Sequence, residues 1–459
     1  MTHQFNPTIL REYDIRGIVG DTLTEADAYA LGRTYAAIAR DEGARRLAVG
    51  RDGRTHSGML EAALVRGLTE GGMDAVLIGM GPSPMLYFAT YYLDVDGGLQ
   101  VTGSHNPADY NGFKLLLKGR SVFGEEIRAI GRRAAAGEWS SGSGSVEEVD
   151  IREAYADRLL EGFSGKPFRI GWDAGNGAAG PILDMLVERL PGQHFTIYTD
   201  VDGAFPNHHP DPTVEKNLAD LKRLVADKQL DFGIAFDGDG DRIGAVDAKG
   251  RVIWGDQLLM ILAEPVLKQQ PGATIIADVK ASQGLFDRIA ELGGTPLMWK
   301  TGHSLIKSKM KETGAPLAGE MSGHVFFKHR WYGFDDALYA AVRLIEAVSE
   351  SGRSLTEIVD AMPKTTATPE MRFQVDDARK FAIVDEVRDR LSAEGATVDA
   401  TDGVRVSTAD GWWLLRASNT QDVLVARAEA NDDAGVERLI AQIDNQLAKS
   451  GVQRGDSAH

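Results

Sequence analysis

Short apolar runs that break into an acidic residue and then small or polar residues recur along the chain. "LAVGRDG" from Leu47, "RIGWDAGNG" from Arg169 and "IIADVKASQG" from Ile275 share this shape. Each reads as a buried strand leaving into a turn, and the roughly even spacing predicts repeated units. Between such runs lie stretches with helical periodicity, such as "SGMLEAALVRGLTEGG". Strand–helix alternation predicts α/β domains with mixed, largely parallel sheets. The Ser/Gly-rich segment Glu138–Val149 reads as a loop near a domain boundary. After "MPKTTATPE" (Met362–Glu370) the pattern changes. "VRVSTADGWWLLRAS" alternates about an Asp-Gly turn and predicts a hairpin, flanked by helical patterns such as "AGVERLIAQIDNQLAKS". The last domain is therefore expected to be α+β.

The 459 residues are too many for one hydrophobic core. Fifty Lys and Arg against 67 Asp and Glu leave a formal net charge of −17. Such a surface argues against a nucleic-acid partner or an anionic membrane. An anionic small substrate would need a local basic site. With no cysteine, disulfides, thiolate catalysis and Cys-ligated zinc are excluded. The N-terminal stretch meets Arg11, Glu12 and Asp14 early and does not read as a signal peptide. With no long apolar run, a cytoplasmic protein is expected.

The strongest chemical signal is "DFGIAFDGDGDRIGAVD". An apolar strand runs into Asp237, Asp239 and Asp241, followed by Arg242 and a second strand. Alternate residues of an extended segment face the same way, so three carboxylates would crowd one spot. A cation relieves that repulsion, and all-oxygen ligands favour Mg²⁺ or Ca²⁺. An EF-hand loop is rejected, because its Gly and Glu positions hold Arg242 and Ala248. "GNGAAG" (Gly175–Gly180), with Asp200 twenty residues on, matches a dinucleotide fingerprint. Asp173 directly before it would repel a pyrophosphate, and a structural turn is favoured. Ser104, Asp237, Lys280 and Glu320 each follow an apolar strand, where open α/β sheets bind ligands. Arg16, Lys114, Arg242, Lys280 and Arg416 could supply the positive field that the surface lacks. Arg416, Ser418, Asn419 and Thr420 suit a phosphate.

"TGSHNP", "DGDGDR", "GEMSGH" and "RASNT", in this order and at these separations, together resemble the α-D-phosphohexomutase superfamily, and "GEMSGH" its bacterial phosphomannomutase/phosphoglucomutase branch. The resemblance runs from "REYDIRG" to "RASNT". It implies three similar α/β domains and a different C-terminal α+β domain around a central cleft. These are expected at residues 1–148 (phosphoserine), 149–250 (metal), 251–364 (sugar) and 365–459 (phosphate). It implies interconversion of hexose 1-phosphate and 6-phosphate, mannose and glucose, by a cytoplasmic monomer or weak dimer. Mg²⁺ is the implied cofactor, with glucose or mannose 1,6-bisphosphate as intermediate. Ser104 would carry the exchangeable phosphoryl group and, with Asp237, Asp239 and Asp241, hold Mg²⁺. His105, Lys114, Arg16 and Arg242 would surround that phosphate. Glu320, Met321, Ser322, Gly323 and His324 would form the sugar loop. Arg416, Ala417, Ser418, Asn419 and Thr420 would clamp the other phosphate, with Tyr13 and Lys280. His303 is the candidate for proton transfer and sugar orientation.

Overall fold

The computed structural model describes residues 2–419 and 421–454. Four sheets organise it. The first has the spatial order Ile15–Ile18, Tyr110–Leu117, Gly97–Val101, Arg46–Arg51, Asp74–Met80, Val146–Glu148, with Arg120–Ser121 beside Tyr110–Leu117. The second runs Val252–Ile253, Ile243–Asp247, Phe232–Phe236, Phe168–Asp173, Gly192–Ile197. It thus takes in Val252–Ile253, which pairs with Ile243–Asp247 beyond the limit expected at residue 250. The third runs Thr295–Trp299, Thr274–Asp278, Leu317–Gly319, Val325–Phe327. The fourth is antiparallel throughout and contains the expected hairpin, Val404–Ser407 against Gly411–Ala417.

One three-stranded unit recurs in the first three sheets. A strand pairs parallel with a second, which turns back antiparallel into a third. In the first sheet these are Arg46–Arg51, Gly97–Val101 and Tyr110–Leu117. In the second they are Phe168–Asp173, Phe232–Phe236 and Ile243–Asp247. In the third they are Thr274–Asp278, Leu317–Gly319 and Val325–Phe327. The middle strands are buried along their whole length, so they read as apolar runs rather than alternating ones. The reversals after them carry Ser104, Asp237–Asp241 and Glu320–His324.

Packing divides the chain unevenly. One contiguous apolar core joins Met85–Ala89 of the first domain to the cores of the second and third, through Trp172, Phe236, Leu259 and Leu344. The fourth domain has its own core around Trp413, Leu415, Val387 and Leu439. Apolar contact between it and the third domain centres on Val279, Trp412 and Leu414. Beside it Arg405 donates to the Val279 and Ala281 carbonyls and Arg427 to that of Lys280, and a junction that is polar in this way is the kind across which domains move. Among the described residues, no helix is long and apolar enough to cross a membrane.

Candidate active site

The repeated hairpin turns meet. Ser104 lies at φ +49°, a left-handed conformation that costs a non-glycine residue about 1 kcal/mol. Its amide donates to Thr102 Oγ1 (2.9 Å), and its hydroxyl donates to Asp237 Oδ2 (3.1 Å). His105 Nδ1 lies 3.2 Å from the same hydroxyl. Register brings two cations to this turn. Lys114 sits opposite Gln100 on the return strand, and Arg16 opposite Gly112 on the next strand out. Arg16 donates to Asn106 Oδ1 (3.0 Å), to the Gly103 carbonyl and to Asp14.

Asp237, Asp239 and Asp241 are wholly buried, and their ligand oxygens lie within 4.8 Å of one another. Asp237 Oδ1 shapes the loop by accepting from the amides of Asp241 (3.0 Å) and Arg242 (3.1 Å). Asp239 Oδ2 accepts from Lys114 Nζ (2.7 Å), Thr102 Oγ1 (3.0 Å) and Ser83. Lys114 also donates to Asp241. Burial, then the like charges of Asp241 and Asp239, push the Asp237 carboxyl well above the usual range. Burial acts on Asp239 in the same direction, but Lys114 and Ser83 outweigh it and hold that carboxyl low. Asp239 Oδ1 and Asp241 Oδ1 are buried with no hydrogen-bond partner among the described residues. Orphaned carboxylate oxygens beside a third carboxylate are a donor set for a hard divalent cation, and the three residues fit one.

A second acidic group, Asp241, His324 and Asp335, lies beside it. Arg242 Nε donates to His324 Nε2 (3.0 Å), which leaves Nδ1 as the protonated nitrogen, 3.1 Å from Asp335 Oδ2. A protonated nitrogen cannot ligate, so this group reads as a His–Asp pair. His303 Nδ1 is 3.9 Å from the same oxygen, and its ring stacks on His324 at 5.7 Å. Burial and Lys307 push His303 well below the ordinary imidazole value; burial, Arg242 and Arg16 do the same to His105. Both rings are neutral at neutral pH.

The third turn holds Glu320, which accepts from the Gly302 amide (2.5 Å), and Met321, whose amide donates to Asp278 Oδ1 (3.1 Å). Burial first, then Asp278, raises the Glu320 carboxyl against the pull of His324. Gly323 has φ +87°, and its carbonyl accepts from the Ile243 amide (3.0 Å), locking this turn to the aspartate loop. Ser322 sits between them on the same turn.

Across from the serine, Tyr13 OH donates to the Thr301 carbonyl (2.8 Å) and accepts from Asn419 Nδ2 (2.6 Å), joining three domains. Arg416 Nε donates to Asp402 Oδ2 (3.0 Å). Ala417 ends a buried strand, and Ser418 Oγ accepts from the Gln421 amide (3.1 Å). Lys280 pairs with Glu370 at 3.3 Å and so belongs to this fourth-domain side, away from the serine cluster. Thr420 lies outside the described residues. Tyr13 packs edge-on to His303 at 5.9 Å, so a run of contacts links the two halves through His324 to Arg242. "GNGAAG" backs the aspartate loop: the Ala178 amide donates to the Gly238 carbonyl (3.0 Å), and a Cβ at Gly177 would meet Gly238.

Sequence reasoning missed Ser83 and Asp335, which tertiary packing brings in, and the role of Thr102, although it opens "TGSHNP". It also missed Asp52, inside "LAVGRDG", and Arg54, which directly follows it.

Family models for phosphoglucomutase/phosphomannomutase match the chain in order between residues 7 and 446. Alpha/beta/alpha domains I, II and III cover residues 7–141, 153–250 and 254–366, and the C-terminal domain covers 370–446. A phosphomannomutase/phosphoglucomutase of Pseudomonas aeruginosa is 47% identical over 96% of this chain and 95% of its own. A phosphoglucomutase of Neisseria gonorrhoeae is 45% identical over 94% of this chain and 95% of its own. The solved structure of a phosphoglucomutase/phosphomannomutase family protein from Burkholderia thailandensis superposes with a TM-score of 0.93 at 41% identity, covering 99% of each chain.

Proposed function

The chain belongs to the phosphoglucomutase/phosphomannomutase family, and on that premise we propose that it interconverts hexose 1-phosphate and 6-phosphate, of mannose and glucose, through phospho-Ser104 and a hexose 1,6-bisphosphate. It is a mutase of the isomerase class. The observation that carries the mechanism is the Ser104 hydroxyl held 3.1 Å from Asp237, with Arg16 on Asn106 of the same turn, Lys114 on Asp239 and the Arg242 amide on Asp237.

The serine's phosphorus–oxygen bond breaks as phosphorus bonds to the sugar's free hydroxyl oxygen; the hydroxyl proton passes to a neutral base, and the released Ser104 Oγ takes up a proton in exchange. Reversal with the other phosphate restores phospho-Ser104 and releases the isomer. Such transfer depends on positioning and charge neutralisation. Lys114, Arg16 and Arg242 neutralise the transferred group and fix its oxygens. Asp237, Asp239 and Asp241, with a phosphoserine oxygen, would hold Mg²⁺, which supplies further neutralisation there. Glu320 and Ser322, flanked by Met321, Gly323 and His324, take sugar hydroxyls. His303, neutral and partly exposed, receives or returns the proton. Arg416, Ser418 and Asn419, with Tyr13 and Lys280, clamp the phosphate that is not reacting. The small apolar junction of the fourth domain lets the cleft open while the bisphosphate turns over, and closure keeps water from the phosphoserine.

Arg416 gives a test of the clamp. A phosphate must compete with Asp402 for a guanidinium that is 6% exposed. A charge-assisted pair of this kind contributes about 1.5–3 kcal/mol. Arg416→Ala is therefore expected to raise KM for glucose 1-phosphate by about 10- to 100-fold, with a smaller fall in kcat. Steady-state assays showing both constants unchanged would remove Arg416 from the clamp.

A further inference from the structure

Arg54 has no part in the chemistry above, yet its side chain reaches the serine turn from beneath. It is 3% exposed, in the turn that follows strand Arg46–Arg51. Nη2 donates to the carbonyls of Ser104 (2.7 Å) and Asn106 (2.6 Å), and Nη1 to those of Tyr110 (3.0 Å) and Pro107. Asp52 closes the arrangement. Its Oδ2 accepts from the Gly103 amide (2.9 Å) and lies 3.3 Å from Arg54 Nε; its Oδ1 accepts from the Arg54 amide (3.0 Å) and Ser57. Phe205 of the second domain covers the guanidinium at 5.0 Å. Gly103 must be glycine here, because a Cβ would overlap Arg54 Nε.

The turn needs this. A buried carbonyl without a partner costs about 1–3 kcal/mol, and here several turn inward together. A planar guanidinium presents five N–H groups in a fixed fork, so one side chain satisfies all four carbonyls at once. A left-handed serine persists only where its surroundings over-determine it. Arg54 and Asp52 hold the turn from its carbonyl and amide sides.

The internal repeat sharpens the point. Arg51 pairs with Val101 as Ala277 pairs with Gly319, so Asp52 corresponds to Asp278 and Arg54 to Lys280. Both aspartates accept an amide from the second residue past the neighbouring strand, Gly103 and Met321. The cations diverge. Lys280 turns toward Glu370 on the fourth domain, whereas Arg54 turns under its own loop. One position of the repeat thus serves two tasks.

We infer that Arg54 is a positioning residue for the reaction: its fork holds the Gly103–Pro107 turn so that Ser104 Oγ points at the aspartate cluster. This rests on Ser104 being the phosphoryl carrier. The test uses the full-length enzyme, with Ser104 phosphorylation by glucose 1,6-bisphosphate followed by intact mass and turnover of glucose 1-phosphate measured alongside. Arg54→Ala is expected to slow both phosphorylation and kcat by about 100-fold or more, since a misplacement near 1 Å has that effect, with KM within about threefold. Guanidinium at sub-denaturing concentration should restore part of kcat, and methylammonium should not. Arg54→Lys keeps the charge but loses the fork, and is expected to lower kcat by about 10-fold or more without guanidinium rescue. Wild-type phosphorylation and kcat in a folded Arg54→Ala or Arg54→Lys protein would overturn the inference. So would a rise in KM alone, or failure of both variants to fold, which would make Arg54 part of the fold rather than of the serine's placement. If the unsubstituted enzyme never acquires phosphate on Ser104, the carrier assignment itself fails, an outcome separate from these.

Discussion

Ser104→Ala is expected to abolish turnover, lowering kcat by about four orders of magnitude or more even with glucose 1,6-bisphosphate supplied. The reason is that no other hydroxyl stands in its place. Thr102 Oγ1 is committed to Asp239 and to the Ser104 amide, and Ser83 Oγ to Asp239 and Lys114. The substitution removes one hydroxyl and leaves the scaffold: Arg54 still binds the residue-104 carbonyl, and Asp52 the Gly103 amide. Substrate binding through Arg416 and Glu320 is remote from the change. Titration with glucose 1-phosphate should give a Kd within about threefold of the unsubstituted protein, and the melting temperature should barely move, as the substitution adds no cavity and leaves φ at +49°. Mutase turnover near the unsubstituted rate in a folded Ser104→Ala protein would sink the phosphoserine mechanism.

What was legible in the sequence and what was not divides along a physical line. The aspartate loop was legible because its chemistry is local: alternate carboxylates between two apolar strands leave few readings. The repeat was legible for the same reason, as an apolar run ending in Asp at Asp52, Asp173 and Asp278. That its strand ends would face one cleft was expected as well; which atoms meet there was not legible. The equivalent hairpin turns come together only through pairing between residues far apart in sequence, such as Ile243 with Gly323 and Ser104 with Asp237. Asp335 illustrates the limit. Asp336 caps Ala337–Ser351. Its neighbour instead faces His324 and His303, which no spacing rule could announce. Arg54 directly follows a run already noted, but its direction depends on which face of a turn its carbonyl partners occupy. "GNGAAG" is the converse case: its glycines permit close approach, but to the Gly238 backbone rather than to a pyrophosphate.

Asp239→Asn should separate the metal from the rest of the site. Two unit charges about 4 Å apart repel by roughly 4 kcal/mol at an effective dielectric near 20. Lys114 offsets only part of this, because it engages Oδ2 of Asp239 and of Asp241 and leaves both Oδ1 atoms without a hydrogen bond among the described residues. An amide in place of the Asp239 carboxylate lowers the repulsion, so the folded protein should tolerate it; Lys114 keeps Asp241, and Thr102 and Ser83 can still donate to the amide oxygen. A divalent cation loses one anionic ligand and the charge that draws it in. The concentration of Mg²⁺ giving half-maximal activity is expected to rise by about 100-fold or more after chelator treatment and titration. Ligand-linked stabilisation supplies a readout independent of turnover. A site-bound ion present at 100 times its Kd adds about 2.7 kcal/mol to the native state. Mg²⁺ should therefore raise the melting temperature of the chelator-treated original protein and leave that of Asp239→Asn almost unmoved at the same concentration. Equal thermal shifts in the two proteins would place the metal elsewhere. Activity in the original protein that survives chelation without loss would remove it from the mechanism, leaving Lys114, Arg16 and Arg242 as the whole of the charge neutralisation at Ser104.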